Sequence, residues 1–128
     1  MNGLHLIADL YDCRCDVALL TDRERLETLC VQECREAGLT PLGAYFYQFR
    51  HDNGENAGVT GTVVLAESHL AIHTWPETGN VTLDVYVCNF SKDNSELARR
   101  VFRRVIETLN PMEVVSHLVV RGKIAPRE

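Results

Sequence analysis

Residues 81–88 read Val-Thr-Leu-Asp-Val-Tyr-Val-Cys, a clean alternation along the whole segment. Successive side chains on a strand point to opposite faces, so this segment buries one face and needs a layer to bury it against. Five more segments have strand character: 4–11 (LHLIADLY), 40–49 (TPLGAYFYQF), 60–67 (TGTVVLAE), 69–74 and 112–120 (MEVVSHLVV). Two others carry a helical period. Thr21-Asp-Arg-Glu24 is a capping-box pattern, continued by Leu26, Leu29/Cys30, Cys34 and Ala37 and closed by Gly38. The second helix runs from Asp93 or Asn94 to Leu109 with Leu97, Val101, Val105 and Leu109 on one face. Asn110-Pro111 stops it, because proline disfavours helix at the residue before it. HDNGENAG (51–58) is a polar loop around Asn53-Gly54, and Pro76 and Gly79 mark a turn. The order β-α-β-β-β-β-α-β predicts an α+β fold, a two-layer sandwich with two helices on one face of a mainly antiparallel sheet. With 128 residues and neither repeats nor a long linker, residues 1–128 read as a single domain.

The charge balance narrows the partners. Thirteen basic and eighteen acidic residues leave a net charge of −5, which argues against sequence-independent nucleic-acid binding. No apolar run approaches the roughly 18 residues of a membrane span, and MNGLHLIADLYD lacks a basic leader. The expectation is a cytoplasmic protein with reduced thiols at Cys13, Cys15, Cys30, Cys34 and Cys88. Cys30 and Cys34 share a helix face with Leu26 and Ala37, so core packing outweighs zinc binding, and the paired Cys-x-x-Cys spacing is absent. No metal is expected. Arg99, Arg100, Arg103 and Arg104 read as a solvated helix face.

The chemistry concentrates in Ala66-Glu67-Ser68-His69-Leu70-Ala71-Ile72-His73-Thr74-Trp75-Pro76-Glu77. This stretch resembles the ESHL-x-IHTWPE hallmark of the small prokaryotic type of S-adenosylmethionine decarboxylase, a pyruvoyl-dependent proenzyme family. His5-Leu6-x-x-Asp9, Gly58-Val59-Thr60-Gly61 and Asp84-Val-Tyr-Val-Cys88 follow in family order, so the resemblance covers nearly the whole chain. Decarboxylation of an amino acid leaves a carbanion that no side chain absorbs; a carbonyl forming a Schiff base with the substrate amine supplies the electron sink. The resemblance implies that this carbonyl comes from the chain. Ser68 Oγ attacks the Glu67 carbonyl, the amide becomes an ester, and elimination then yields dehydroalanine. The elimination expels the Glu67 carboxylate and so releases 1–67, and hydrolysis leaves a pyruvoyl group on 68–128. His73 resembles the processing base, and imidazole suits that task near neutral pH. Cys88 resembles the catalytic cysteine that protonates the substrate Cα. Outside the motif these three would read as a strand-end serine, a satisfied strand histidine and a buried thiol.

The resemblance also implies substrate contacts: Phe49 stacking on adenine, Trp75 offering a second flat face, Glu77 holding the ribose diol, and Thr60 standing where the family has serine. Tyr45, Phe46 and Tyr47 crowd the strand of Phe49, so a core role for that ring is nearly as good a reading. Two departures stand out: the 51–58 loop is longer than usual, and Asn89-Phe90-Ser91 replaces the usual glycine after the cysteine. His5, His69 and His117 have no motif role. The expected activity is a self-processing decarboxylase of S-adenosylmethionine in polyamine (spermidine) synthesis, working as a homodimer with sites at its interface. The alternatives are an arginine or ornithine decarboxylase of the same chemistry, an inactive paralogue acting as a binding subunit, and a metal-binding protein.

Overall fold

The computed structural model describes residues 2–89 and 92–122. In chain order its elements are β1 (Asn2–Cys13), α1 (Ala18–Thr21), α2 (Arg23–Ala37), β2 (Pro41–Arg50), β3 (Asn56–Leu65), β4 (Ser68–Trp75), β5 (Asn80–Cys88), α3 (Ser95–Leu109) and β6 (Pro111–Gly122). The strands form one antiparallel sheet in the order β2-β3-β4-β5-β1-β6. The helices cover one face, giving the expected α+β sandwich.

Alternation explains the layering. Leu4, Leu6, Ala8 and Leu10 of β1 are buried with Leu70 and Ile72 of β4 and Val81, Leu83, Val85 and Val87 of β5. Above them lie Leu26, Cys30, Cys34 and Ala37 of α2 and Ala98, Val101, Val105 and Leu109 of α3. Burying these apolar groups is the main drive for folding, at about 25 cal/mol per Å². Residues one step out of phase, including His5, Ile7, Asp9, His69, His73, Asp84 and Tyr86, line the opposite face, which no helix among the described residues covers.

Local details differ from the sequence reading. Asp22, not Thr21, caps α2: its carboxylate accepts from the Glu24 and Arg25 amides. Thr21 is the last residue of α1, and its hydroxyl is spent on the Val17 carbonyl at 3.1 Å. Ala98 rather than Leu97 occupies the fully buried first turn of α3, and Leu97 rests half-buried against Gly38. Strand β3 takes Asn56–Gly58 from the predicted loop, leaving a tight turn closed by His51 N–H to Glu55 O at 2.9 Å. The α3 arginines are largely engaged with acids: Arg99 with Glu96, Arg103 with Glu107, and Arg104 with the buried Glu33 of α2. Among the described residues no three His, Cys, Asp or Glu side chains group as a metal site would, and no helix is long and apolar enough to cross a membrane. Burial pushes the Cys13 thiol up to about 11 and Cys34 to about 12, the state of a packed thiol rather than a reactive one.

Candidate active site

Leu65 pairs with Ser68, so β3 and β4 are joined by a two-residue turn, Ala66-Glu67. Glu67 has φ +64°, a left-handed conformation that costs a non-glycine residue about 1–2 kcal/mol. The peptide between Glu67 and Ser68 therefore follows a strained residue on an exposed hairpin tip. Ser68 Oγ is half-buried and accepts a hydrogen bond from the Cys88 backbone N–H at 3.2 Å. The register explains this approach: His69 pairs with Tyr86, which sets Ser68 beside the last residues of β5. Cys88 is buried and pairs with Gly3. At Gly3 a Cβ would meet the Val87 carbonyl at 2.8 Å and the Tyr86 ring at 2.9 Å, so glycine is required there.

The remaining predicted residues gather at the other end of β4. Phe49, Thr60, His73, Trp75 and Glu77 line one cleft of about 320 Å³ with Ala57, Gly58 and Thr74. Thr60 Oγ1 lies 3.1 Å from His73 Nδ1, and the His73 and Trp75 rings stand 6.3 Å apart. The two glycines of Gly58-Val59-Thr60-Gly61 hold this geometry. A Cβ on Gly58 would collide with the Thr74 carbonyl, and one on Gly61 would enter the Phe46 ring. Thr74 is buried and pinned, accepting from Val59 N–H at 2.9 Å and donating to Leu20 O at 2.7 Å. Phe46 takes the core role on β2, while Phe49 is half exposed and packs edge-on against Tyr47 at 5.0 Å. That resolves the crowded strand in favour of Phe49 as a cleft residue.

One chain does not bring all eight residues together. Five positions along a strand at ~3.4 Å each put His73 about 17 Å from Ser68, and alternation gives residues five apart opposite faces. Glu67, Ser68 and Cys88 make one cluster; Phe49, Thr60, His73, Trp75 and Glu77 make the other.

Between them runs a band that motif reading did not assign. His69, Tyr86 and His5 are register neighbours across β4, β5 and β1, with ring centroids 5.6–6.2 Å apart. Arg121 lies 5.0 Å over the Tyr86 ring, and Asp84 is 3.8 Å from His5 Nε2. Burial lowers the His5 pKa below its ordinary 6.5, ahead of the opposing pull of Asp84. Period-two alternation on β1, β4 and β5 puts these residues on the open face; their meeting depends on strand order. Phe90 and Ser91, part of the unusual segment after Cys88, lie outside the described residues.

Comparison with known proteins concerns the chain as a whole. The family model described as S-adenosylmethionine decarboxylase matches residues 4–122. The S-adenosylmethionine decarboxylase proenzyme of Picrophilus torridus is 40% identical over 120 residues, covering 94% of this chain and 84% of that protein. The proenzyme of Thermoplasma volcanium is 36% identical over 126 residues, covering 98% and 88%. In structure, the chain resembles the crystallised adenosylmethionine decarboxylase of Aquifex aeolicus, with TM-score 0.83 and 34% identity over 98% of this chain and 95% of that one.

Proposed function

The chain belongs to the S-adenosylmethionine decarboxylase family, and on that premise we propose that it is a self-processing decarboxylase acting on S-adenosylmethionine. The observation that carries the processing step is the contact of Ser68 Oγ with the Cys88 N–H beside the left-handed Glu67. These residues fit a pyruvoyl group made at position 68: the hydroxyl borders a strained peptide, and a fixed donor faces its oxygen. In processing, Ser68 Oγ adds to the Glu67 carbonyl, the amide nitrogen leaves with a proton, and an ester joins the two residues. Loss of the Ser68 α-proton then breaks the Cβ–Oγ bond, frees Glu67 as a carboxylate and leaves dehydroalanine, whose imine form water hydrolyses to the pyruvoyl carbonyl with release of ammonia. The pyruvoyl group supplies a carbonyl for the substrate amine and a sink for the electrons released with carbon dioxide. Cys88, buried beside it, holds a proton for the substrate Cα.

The separation of the two clusters supports a homodimer. Packing the open faces of two protomers in opposite directions carries the strand ends that hold Ser68 and Cys88 in one to the cleft end of the other. His73 then serves its partner's Ser68, and Phe49, Trp75 and Glu77 receive the partner's substrate. Exposed Tyr45, Tyr47, Phe49 and Val64 on the same face suit such packing. The cleft favours adenosine: two rings flank a flat base, and the Glu77 carboxylate accepts from hydroxyls. S-Adenosylmethionine decarboxylation supplies an aminopropyl donor, which assigns the product to polyamine synthesis. The decisive experiment is a denatured mass spectrum of purified protein. Fragments 1–67 and 68–128, with a single intact chain for Ser68→Ala, support the reading; an intact wild-type chain overturns it.

A further inference from the structure

Asn94 is the N-cap residue of α3, yet its side chain caps nothing in that helix. The Ser95 amide is served instead by Asp93 Oδ1 at 2.9 Å. Asn94 is 7% exposed, and its Nδ2 donates to the Cys88 carbonyl at 3.0 Å. Among the described residues its buried Oδ1 has no partner, a cost that a residue kept only for the fold would shed. Asn89 completes the brace. Its amide donates to the Asn2 carbonyl at 2.8 Å, its Oδ1 accepts the Asn94 amide at 2.8 Å, and its Nδ2 donates to Ser95 Oγ at 3.1 Å. Cys88 is thus held on both sides, its carbonyl by Asn94 and its N–H against Ser68 Oγ.

We propose that Asn94 is a positioning residue for self-processing, which fixes the end of β5 so that the Cys88 N–H stays aimed at Ser68 Oγ. The inference rests on the processing reading above and adds a role for the backbone donor. Oγ is neutral in the intact chain and in the ester. During elimination the Cβ–Oγ bond breaks, its electron pair stays on Oγ, and the α-proton passes to the base as the Cα–Cβ double bond forms. Oγ leaves as one oxygen of the Glu67 carboxylate. A donor already pointed at that oxygen binds it more strongly as charge develops, which lowers the barrier to elimination. Losing such a donor outright costs about 100- to 1,000-fold; misaiming it by freeing Cys88 costs less, about ten-fold.

The test is a time course of chain cleavage for Asn94→Asp, Asn94→Ala and Asp93→Ala, with melting temperatures of each. Asn94→Asp keeps the side-chain shape and suits an N-cap, but replaces the donor with an acceptor. The expected result is about ten-fold slower cleavage in Asn94→Asp and Asn94→Ala, more than their lower melting temperatures account for when set against Asp93→Ala, with a build-up of ester that hydroxylamine splits between 67 and 68. Asp93→Ala, which removes the true cap, should melt lower yet cleave at the wild-type rate. Wild-type cleavage rates in both Asn94 variants overturn the proposal, as does slowing that tracks lost melting temperature across all three. A wild-type chain that never cleaves, like Ser68→Ala, overturns the processing reading itself and the proposal with it.

Discussion

Thr60 Oγ1 lies 3.1 Å from His73 Nδ1, and this contact couples the tautomer of His73 to the threonine hydroxyl. In the tautomer whose Nδ1–H donates to the threonine oxygen, Nε2 keeps its lone pair free for proton abstraction. Thr60→Val keeps the shape and removes the acceptor, so processing should slow by about 10- to 100-fold. Thr60→Ser keeps the oxygen and should process near the wild-type rate. Fragment yield against time on denaturing gels checks both.

The distance between Ser68 and His73 predicts complementation. Neither Ser68→Ala nor His73→Ala should process alone, because each lacks one partner of every site. In a mixed dimer, the intact Ser68 of the His73→Ala chain meets the intact His73 of the Ser68→Ala chain. Co-expression of the two, distinguished by tags, should therefore give cleavage of the His73→Ala chain only. Cleavage of neither chain would place His73 in the same protomer as the Ser68 it serves, and cleavage of the His73→Ala chain on its own would place His73 outside processing.

The hairpin tip makes a separate prediction. The left-handed φ of Glu67 is tolerated best by glycine and worst by β-branched residues. In the uncleaved Ser68→Ala background, Glu67→Val should be less stable than Glu67→Gly by about 1–2 kcal/mol. Both substitutions lose the same carboxylate, so their difference in denaturant midpoint isolates the backbone. Faster processing by Glu67→Val than by Glu67→Gly would tie that strain to cleavage.

The layers were legible because alternation and helical period each report burial directly. Leu83 and Val85 in, Asp84 and Tyr86 out, needed no structure. The division of the site was not legible. Ser68 and His73 look adjacent in a twelve-residue motif, but five residues span ~17 Å on a strand and only ~7.5 Å on a helix. Asn94 was hidden for another reason: an asparagine ahead of a helix reads as its cap, and only the fold turns that side chain toward Cys88. The band of His5, His69 and Tyr86 required the strand order, since β1 and β5 lie some eighty residues apart in sequence.

His5 predicts a pH dependence of stability. Burial holds its pKa below 6.5 in the folded chain, with Arg121 and His69 adding to the effect and Asp84 opposing it. Below pH 6.5 the unfolded chain gains a proton that the folded chain resists, so this contribution is full above 6.5 and lost as pH falls through it. His5→Gln should flatten the decline in stability between neutral pH and pH 5.5. Parallel denaturant melts of the two proteins across that range measure it, and equal slopes would remove His5 as the cause.

Substrate choice follows from the cleft. An adenine ring between Phe49 and Trp75 gains stacking beyond its buried area, worth about 0.5–1.5 kcal/mol per pair. Phe49→Ala and Trp75→Ala should each lower kcat/KM for S-adenosylmethionine by about ten-fold or more, measured on the processed fraction of each variant. Arginine and ornithine lack the base, so the same variants should change any turnover of them far less. Glu77 discriminates poorly, since its carboxylate suits ribose hydroxyls and a cationic side chain alike. Carbon dioxide release from S-adenosylmethionine, arginine and ornithine under identical conditions, with both variants alongside, separates the substrates. Turnover of arginine or ornithine that survives both ring deletions, with none on S-adenosylmethionine, would reassign the substrate and leave the chemistry at Ser68 unchanged.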